Sequence, residues 1–170
     1  MNNLFLTFLF PLLGWVLLAL YPALTRRTMP ENVAAVIGVG SVVLAALTTL
    51  IIGSEFLANV PQGGVHTQTL WTWFSAGGLA PAIGLHLDGL SLTMLGVITG
   101  VGFLIHLFAS WYMRGEEGYS RFFSYMNLFV ASMVILVLGD NLLFLYFGWE
   151  GVGLCSYLLI GFYYRETANG

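Results

Sequence analysis

The run LLFLYFGWEGVGLCSYLLIGFYY, residues 142–164, carries one ionisable carboxylate, Glu150, in an otherwise apolar and glycine-rich stretch. A charged carboxylate at mid-bilayer depth costs about 3 kcal/mol or more on insertion scales, so Glu150 must face protein or water. Intramembrane carboxylates of this kind mark proton or ion routes, since with a movable or protonatable partner they take and release protons. Helical rotation puts Tyr146, Gly153, Tyr157 and Gly161 on the face of Glu150, while Gly148, Gly151 and Cys155 form a separate small ridge suited to helix packing. The hydroxyl of Tyr157 is a weaker candidate for the same route. His106 is another, on a stripe with Ser91, Leu95, Thr99, Gly102 and Ser110 that should face protein. Its imidazole could relay protons near neutral pH or sit as a neutral, hydrogen-bonded group near an interface, and both readings stay open.

Other chemistries find little support. A single cysteine, Cys155, forms neither an internal disulfide nor a redox pair and reads as a small packing residue. His66 and His86 have no Cys or carboxylate cluster at metal-site spacing and read as surface histidines. The glycines of GVGSVV, residues 38–43, belong to an apolar span and not to a dinucleotide fold. Neither an iron-sulfur set nor a haem motif is present. The reading is therefore that no catalytic redox centre, cofactor or metal is held by this chain. A net charge of −3 with five arginines and no lysine offers no basic patch for nucleic acid.

The elements that must position Glu150 follow from composition. With 58% hydrophobic and 8% charged residues and a mean hydropathy of +0.87, the chain is an all-α integral membrane protein. Spans of about 20 apolar residues fall at about 4–21, 32–53, 89–113, 120–138 and 141–163, forming one membrane domain over 1–170 with the lipid bilayer as its solvent. Arg26, Arg27, Arg114, Arg121 and Arg165 all fall on one side of these spans, which by the positive-inside bias puts the N-terminus outside. The first span is read as a retained helix, because its positive charges follow the apolar run. The tail RETANG looks like a cut end.

Local signals refine the boundaries. Thr28 and Glu31 have capping-box spacing, with Pro30 in the first turn of helix 2. Gly139 is expected to end helix 4 in a left-handed conformation and Asp140 to cap helix 5, making these two helices antiparallel neighbours. Between helices 2 and 3, Ile83, Leu85 and Leu87 alternate with Gly84, His86 and Asp88. With a Thr- and Trp-rich first arm and Gly77-Gly78 between, this predicts a small β-hairpin on the outer surface, Trp71 and Trp73 lying at headgroup level. Gly96 and Gly100 have helix-packing spacing, and Ser124 and Asn127 read as interhelical hydrogen-bonding groups.

The segments LDGLSLTMLGVITGVGFLIHLFASWYMRGEEGYSRFF, NLFVASMVILVLGDNLL and above all GWEGVGLCSYLLIGFYY closely resemble the N-terminal part of the subunit L/chain 5 family of NADH-quinone oxidoreductase, respiratory complex I. The resemblance covers essentially the whole chain. It implies an antiporter-like, proton-translocating subunit of a bacterial inner (plasma) membrane rather than a mitochondrial one, with the other membrane-arm subunits as partners. NADH, FMN, iron-sulfur clusters and quinone would belong to partner subunits, so the chain is enzymatic only as part of that oxidoreductase. It further implies that Glu150 pairs with a lysine of a later helix, beyond residue 170. Two alternatives are a subunit of a multisubunit sodium/proton antiporter, whose glutamate helix is shared, and a structural scaffold that seats neighbouring subunits.

Overall fold

In the computed structural model, residues 1–74, 77 and 80–163 are described, and the five expected spans are α-helices. They are α1 (Leu6–Thr25), α2 (Glu31–Ala58), α3 (Gly89–Tyr112), α4 (Tyr119–Leu138) and α5 (Leu142–Ile160). Each is long and apolar enough to cross a membrane, and the chain is a multi-pass membrane protein. Helix is the natural outcome for such runs, because hydrocarbon offers no partner for a backbone N–H or C=O. Against the expected bounds, α1 continues through Pro22 and α2 through Glu55; α1 ends where Arg26 turns left-handed (φ 53°) and donates its N–H to Pro22 O at 3.0 Å.

The helices are arranged around α4, which packs on all four others; α2 packs on α1, α3 and α4, whereas α5 packs on α4 and on the hairpin. Where α1, α2 and α4 meet, Gly14 leaves room for the Ser41 hydroxyl, which bonds the Asn127 side-chain oxygen at 2.5 Å; a Cβ on Gly14 would lie 2.4 Å from Ser41 Oγ. Asn127 also donates to Phe123 O at 2.9 Å, so this buried amide is an interhelical bond, as expected. The small ridge of α5 likewise docks on α4. A Cβ on Gly148 would fall 2.5 Å from Leu136 N, one on Gly151 would fall 2.5 Å from Ser132 Oγ, and Cys155 is fully buried beyond them. By contrast, Gly96 and Gly100 meet no neighbour among the described residues, so the packing predicted for them is not made there.

The predicted hairpin is β1 (His66–Thr72) paired antiparallel with β2 (Ala82–Leu87), with a register shift between Thr69 and Trp71. Its alternation is used as expected: Leu85 and Leu87 are fully buried in a core cluster with Ile52, Phe56, Leu95, Leu138 and Phe144. Trp71 is exposed, and Trp73 sets its ring edge-on to Phe147 of α5. Between the arms, Gly77 has φ 58°, while Gly78 lies outside the described residues. His66 and His86, both expected on the surface, are half-buried; His86 stands beside Asp88, and strand pairing sets His66 opposite Leu87.

Three caps differ from expectation. Pro30 is itself the N-cap of α2 and makes no side-chain cap; the Glu31 carboxylate instead accepts from Gly115 N at 3.1 Å, so the Thr28–Glu31 box gives way to a tie between two turns. Gly139 ends α4 at φ −58° and ψ 123°, not left-handed, because it bridges to Leu85 of the hairpin as extended chain. Asp140 does not cap α5; Asn141 does, accepting from Phe144 N at 3.0 Å.

The Glu31 tie brings the α1–α2 and α3–α4 turns to one end, with Arg26, Arg27, Arg114 and Arg121 in or beside them; Arg165 lies outside the described residues. The hairpin and the α4–α5 turn form the opposite end, where the Met1 amino group pairs with Glu55 and the Gln68 amide donates to Asn2 O.

Two tests follow from this packing. Gly148→Val places carbons where α4 backbone stands and should destabilise the protein by about 1–3 kcal/mol, read as a lower melting temperature in detergent, while Gly153→Ala on the open face should be near neutral. Asp88 caps α3 in a reciprocal box with Ser91, and the Ser91 N–H, then its hydroxyl, hold this carboxyl below the usual range. That contribution is complete above the ordinary carboxylate range and is lost as pH falls through the lowered value. Asp88→Ala should cost about 1 kcal/mol at neutral pH and less in acid, measured by denaturant unfolding at both pH values.

Candidate functional site

Glu150 stands on α5, and the docking of that helix decides where its side chain goes. With Gly148, Gly151 and Cys155 turned to α4, the opposite face carries Tyr146, Trp149, Glu150, Gly153 and Tyr157, all exposed. This is the separation of faces expected from helical rotation. The open face meets no other helix among the described residues. One turn before Glu150, the Tyr146 hydroxyl interacts with its carboxylate. No arginine of the described residues forms an ion pair with Glu150. Lipid cannot solvate a carboxylate, so this face is built to be covered by protein or reached by water.

Tyr157 lies two helical turns farther toward the arginine end and is 75% exposed. It lines a cavity of about 500 Å³ with Arg121, Tyr125 and Phe162, in which the Arg121 guanidinium stands over the Phe162 ring at 5.1 Å. Seven residues separate Tyr157 from Glu150, about 10 Å along the axis, so a proton passing between them needs an intermediate carrier.

His106 faces protein, as the stripe on α3 requires, and is 1% exposed. Its Nδ1 lies 2.8 Å from Gly102 O; that contact requires a proton on Nδ1, which leaves Nε2 as the acceptor in the neutral ring. Nε2 is buried and has no partner among the described residues. The ring borders an apolar cavity of about 460 Å³ lined by α3, α4 and Leu159 of α5, and it tilts toward Phe123. No hydrogen bond joins it to Glu150 among the described residues. The three candidates are thus not one cluster: Glu150 and Tyr157 share a face, and His106 lies within the bundle.

Sequence reasoning missed two contributors. Ser132 of α4 is the surface on which the α5 ridge rests, and the spacing of small residues signals such a ridge without naming its partner. Asn141 holds the start of α5; its signal was visible, since asparagine caps helices as well as aspartate does, but Asp140 stood next to it. Among the described residues there is no group of three or more His, Cys, Asp or Glu side chains able to hold a metal ion.

Comparison with known proteins adds descent to this geometry. Residues 73–123, which include His106, match the family described as NADH-Ubiquinone oxidoreductase (complex I), chain 5 N-terminus. Residues 139–170, which include Glu150 and Tyr157, match the family described as NADH:quinone oxidoreductase/Mrp antiporter, TM. Among similar relatives, NADH-quinone oxidoreductase subunit L of Escherichia coli (strain K12) is 64% identical over 170 residues, covering 100% of this chain and 27% of the relative. The subunit L of Pseudomonas aeruginosa is 63% identical with the same coverage. NADH-ubiquinone oxidoreductase chain 5 of Dictyostelium citrinum is 40% identical over 160 residues, 94% of this chain and 23% of the relative. The chain thus spans about a quarter of the length of the curated relatives it matches. Identity of this degree over the full chain, together with the two family matches, places the chain in the subunit L/chain 5 family of NADH-quinone oxidoreductases, in its N-terminal region.

Proposed function

We propose that this chain is the N-terminal region of an antiporter-like subunit that moves protons across the membrane as its complex reduces quinone, with Glu150 as the carboxylate that carries or gates the proton. The observation that carries this reading is the placement of Glu150. It stands on an apolar helix whose small-residue ridge is already docked on α4, so its open face is available to a partner or to water. A carboxylate kept there at the cost of insertion needs a use that hydrocarbon does not supply. Tyr146 can steady the carboxylate. Tyr157 is the weaker candidate for passage toward the arginine end and His106 for a separate relay within the bundle.

In this reading the partners are the other membrane-arm subunits of complex I, and NADH, FMN, iron-sulfur clusters and quinone are bound by partner subunits, with no redox centre in these residues. The membrane is the bacterial inner membrane. The gathering of Arg26, Arg27, Arg114 and Arg121 at one end supports an orientation with that end cytoplasmic and the hairpin end periplasmic. A second reading, a subunit of a multisubunit sodium/proton antiporter, is favoured by the second family match, whose description names the Mrp antiporter. Sodium-dependent exchange without NADH oxidation would select it.

The test is Glu150→Gln in the assembled enzyme. Proton pumping per NADH oxidised should fall by more than half while subunit content stays normal, read by fluorescence quenching in inverted membrane vesicles. Normal pumping would sink the proposal, and a harmless Glu150→Leu would favour a scaffold role.

A further inference from the structure

The hairpin end contains a tie that sequence reasoning did not foresee, and it holds the turn from which α5 starts. Asn141 uses both ends of its carboxamide. Its oxygen caps α5 by accepting from Phe144 N at 3.0 Å. Its nitrogen donates to Ala82 O of β2 at 2.6 Å and to the Asp140 carboxylate, also at 2.6 Å. The chain before it is paired to the same strand, for Asp140 N donates to Gly84 O at 3.2 Å and Gly139 bridges to Leu85. Gly84 lies under the Asp140 carboxylate so closely that a Cβ there would stand 1.9 Å from Oδ2. The hairpin is itself fixed, because Leu85 and Leu87 are fully buried among residues of α2, α3, α4 and α5. Apart from α4, β2 is the element of the described structure on which α5 packs.

Glu150 follows Asn141 by nine residues, about 13 Å along the helix axis and so near the middle of a hydrocarbon core about 30 Å thick. The glycine ridge sets which way α5 faces, and the hydrogen bonds to Ala82 and Gly84 set where the helix begins. From this juxtaposition we infer that Asn141, held with its turn against the β2 backbone at Ala82 and Gly84, is a positioning device that fixes the depth of the Glu150 carboxylate, so that the surface hairpin governs proton transfer from a distance. The inference rests on the role proposed for Glu150. Little else near that carboxylate competes for control. On its own helix it meets the hydroxyl of Tyr146, with Tyr157 two turns away. The ionisable side chains of α4, Tyr119, Arg121 and Tyr125, lie in its first two turns at the opposite end, and β2 and its turn bring His86 and Asp140 only at the surface.

The experiment uses the assembled enzyme in inverted membrane vesicles and three forms of the subunit. Asn141→Ser keeps a capping oxygen but loses the bond to Ala82. Gly84→Ala drives a Cβ into the Asp140 carboxylate and pushes the turn away from β2. Gly84→Ala combined with Asp140→Ala removes the colliding carboxyl. Two readouts are taken, the rate at which a hydrophobic carbodiimide modifies Glu150, followed by peptide mass, and the pH profile of proton pumping. Asn141→Ser and Gly84→Ala should change the modification rate severalfold and shift the pumping profile by about half a pH unit or more, with NADH oxidation retained; the double variant should return toward wild type. Wild-type modification and profile in both single variants would overturn the inference. So would a double variant as impaired as Gly84→Ala, including the case in which neither assembles. If Glu150→Gln pumps normally, the role of Glu150 falls, while the modification rate still reports whether the tie sets its depth.

Discussion

The close approach of α5 to α4 at Gly148 and Gly151 is the contact on which the rest of the site depends. Without side chains at these two positions the α5 backbone settles against Leu136 and Ser132, and dispersion along the seam replaces the hydrophobic drive that is missing between helices in lipid. Once that face is committed, rotation of α5 is no longer free. The residues on its other side, Tyr146, Glu150 and Tyr157, become a polar strip by elimination. A larger residue at either glycine would both loosen the seam and turn the carboxylate.

Around this contact the protein divides its polar groups by depth. At the two ends, hydrogen bonds join separate elements: Glu31 to Gly115 at the arginine end, Asn141 to Ala82 at the hairpin end. Within the spans, buried hydroxyls and amides serve mostly their own helix, as Thr49 does with Ala45 O and Thr99 with Leu95 O. Ser41 and Asn127 join two helices, and Glu150 stands apart because its own helix supplies it with little more than Tyr146. A carboxylate with so little local satisfaction in an apolar span is what supports the role proposed for Glu150.

Much of this was legible in the residues. Hydropathy and length located the spans, because hydrocarbon demands one structure of any long apolar run. Period-two alternation from Ile83 to Leu87 gave the hairpin, because one side of that strand had to be buried. Period-3.6 spacing separated the Gly148 ridge from the Glu150 strip and turned His106 inward. Turns and caps were less legible, since several donors compete there and tertiary pairing selects among them. Gly139 stays extended and Asp140 yields the cap to Asn141 because β2 lies beside them, and no local rule contains that neighbour. The open surroundings of Gly96 and Gly100 have the same lesson: spacing shows that a surface can be approached, not what approaches it.

The bond between Ser41 and Asn127 bears on how such a bundle comes together. Each partner carries a bond within its own helix, Ser41 to Gly38 O at 2.9 Å and Asn127 to Phe123 O at 2.9 Å. Ser41 can therefore enter the bilayer with its hydroxyl proton already placed, whereas the Asn127 oxygen, which no bond of its own helix reaches, is satisfied only when α2 arrives. Their meeting beside Gly14 then works as a proofreading step. A lateral encounter between α2 and α4 in the wrong axial register leaves the Asn127 oxygen bare, whereas the right one brings the Ser41 hydroxyl proton between Gly38 O and that oxygen, beside Gly14 of α1. Insertion and assembly become two successive events, the first governed by hydropathy and the second by a single point of recognition.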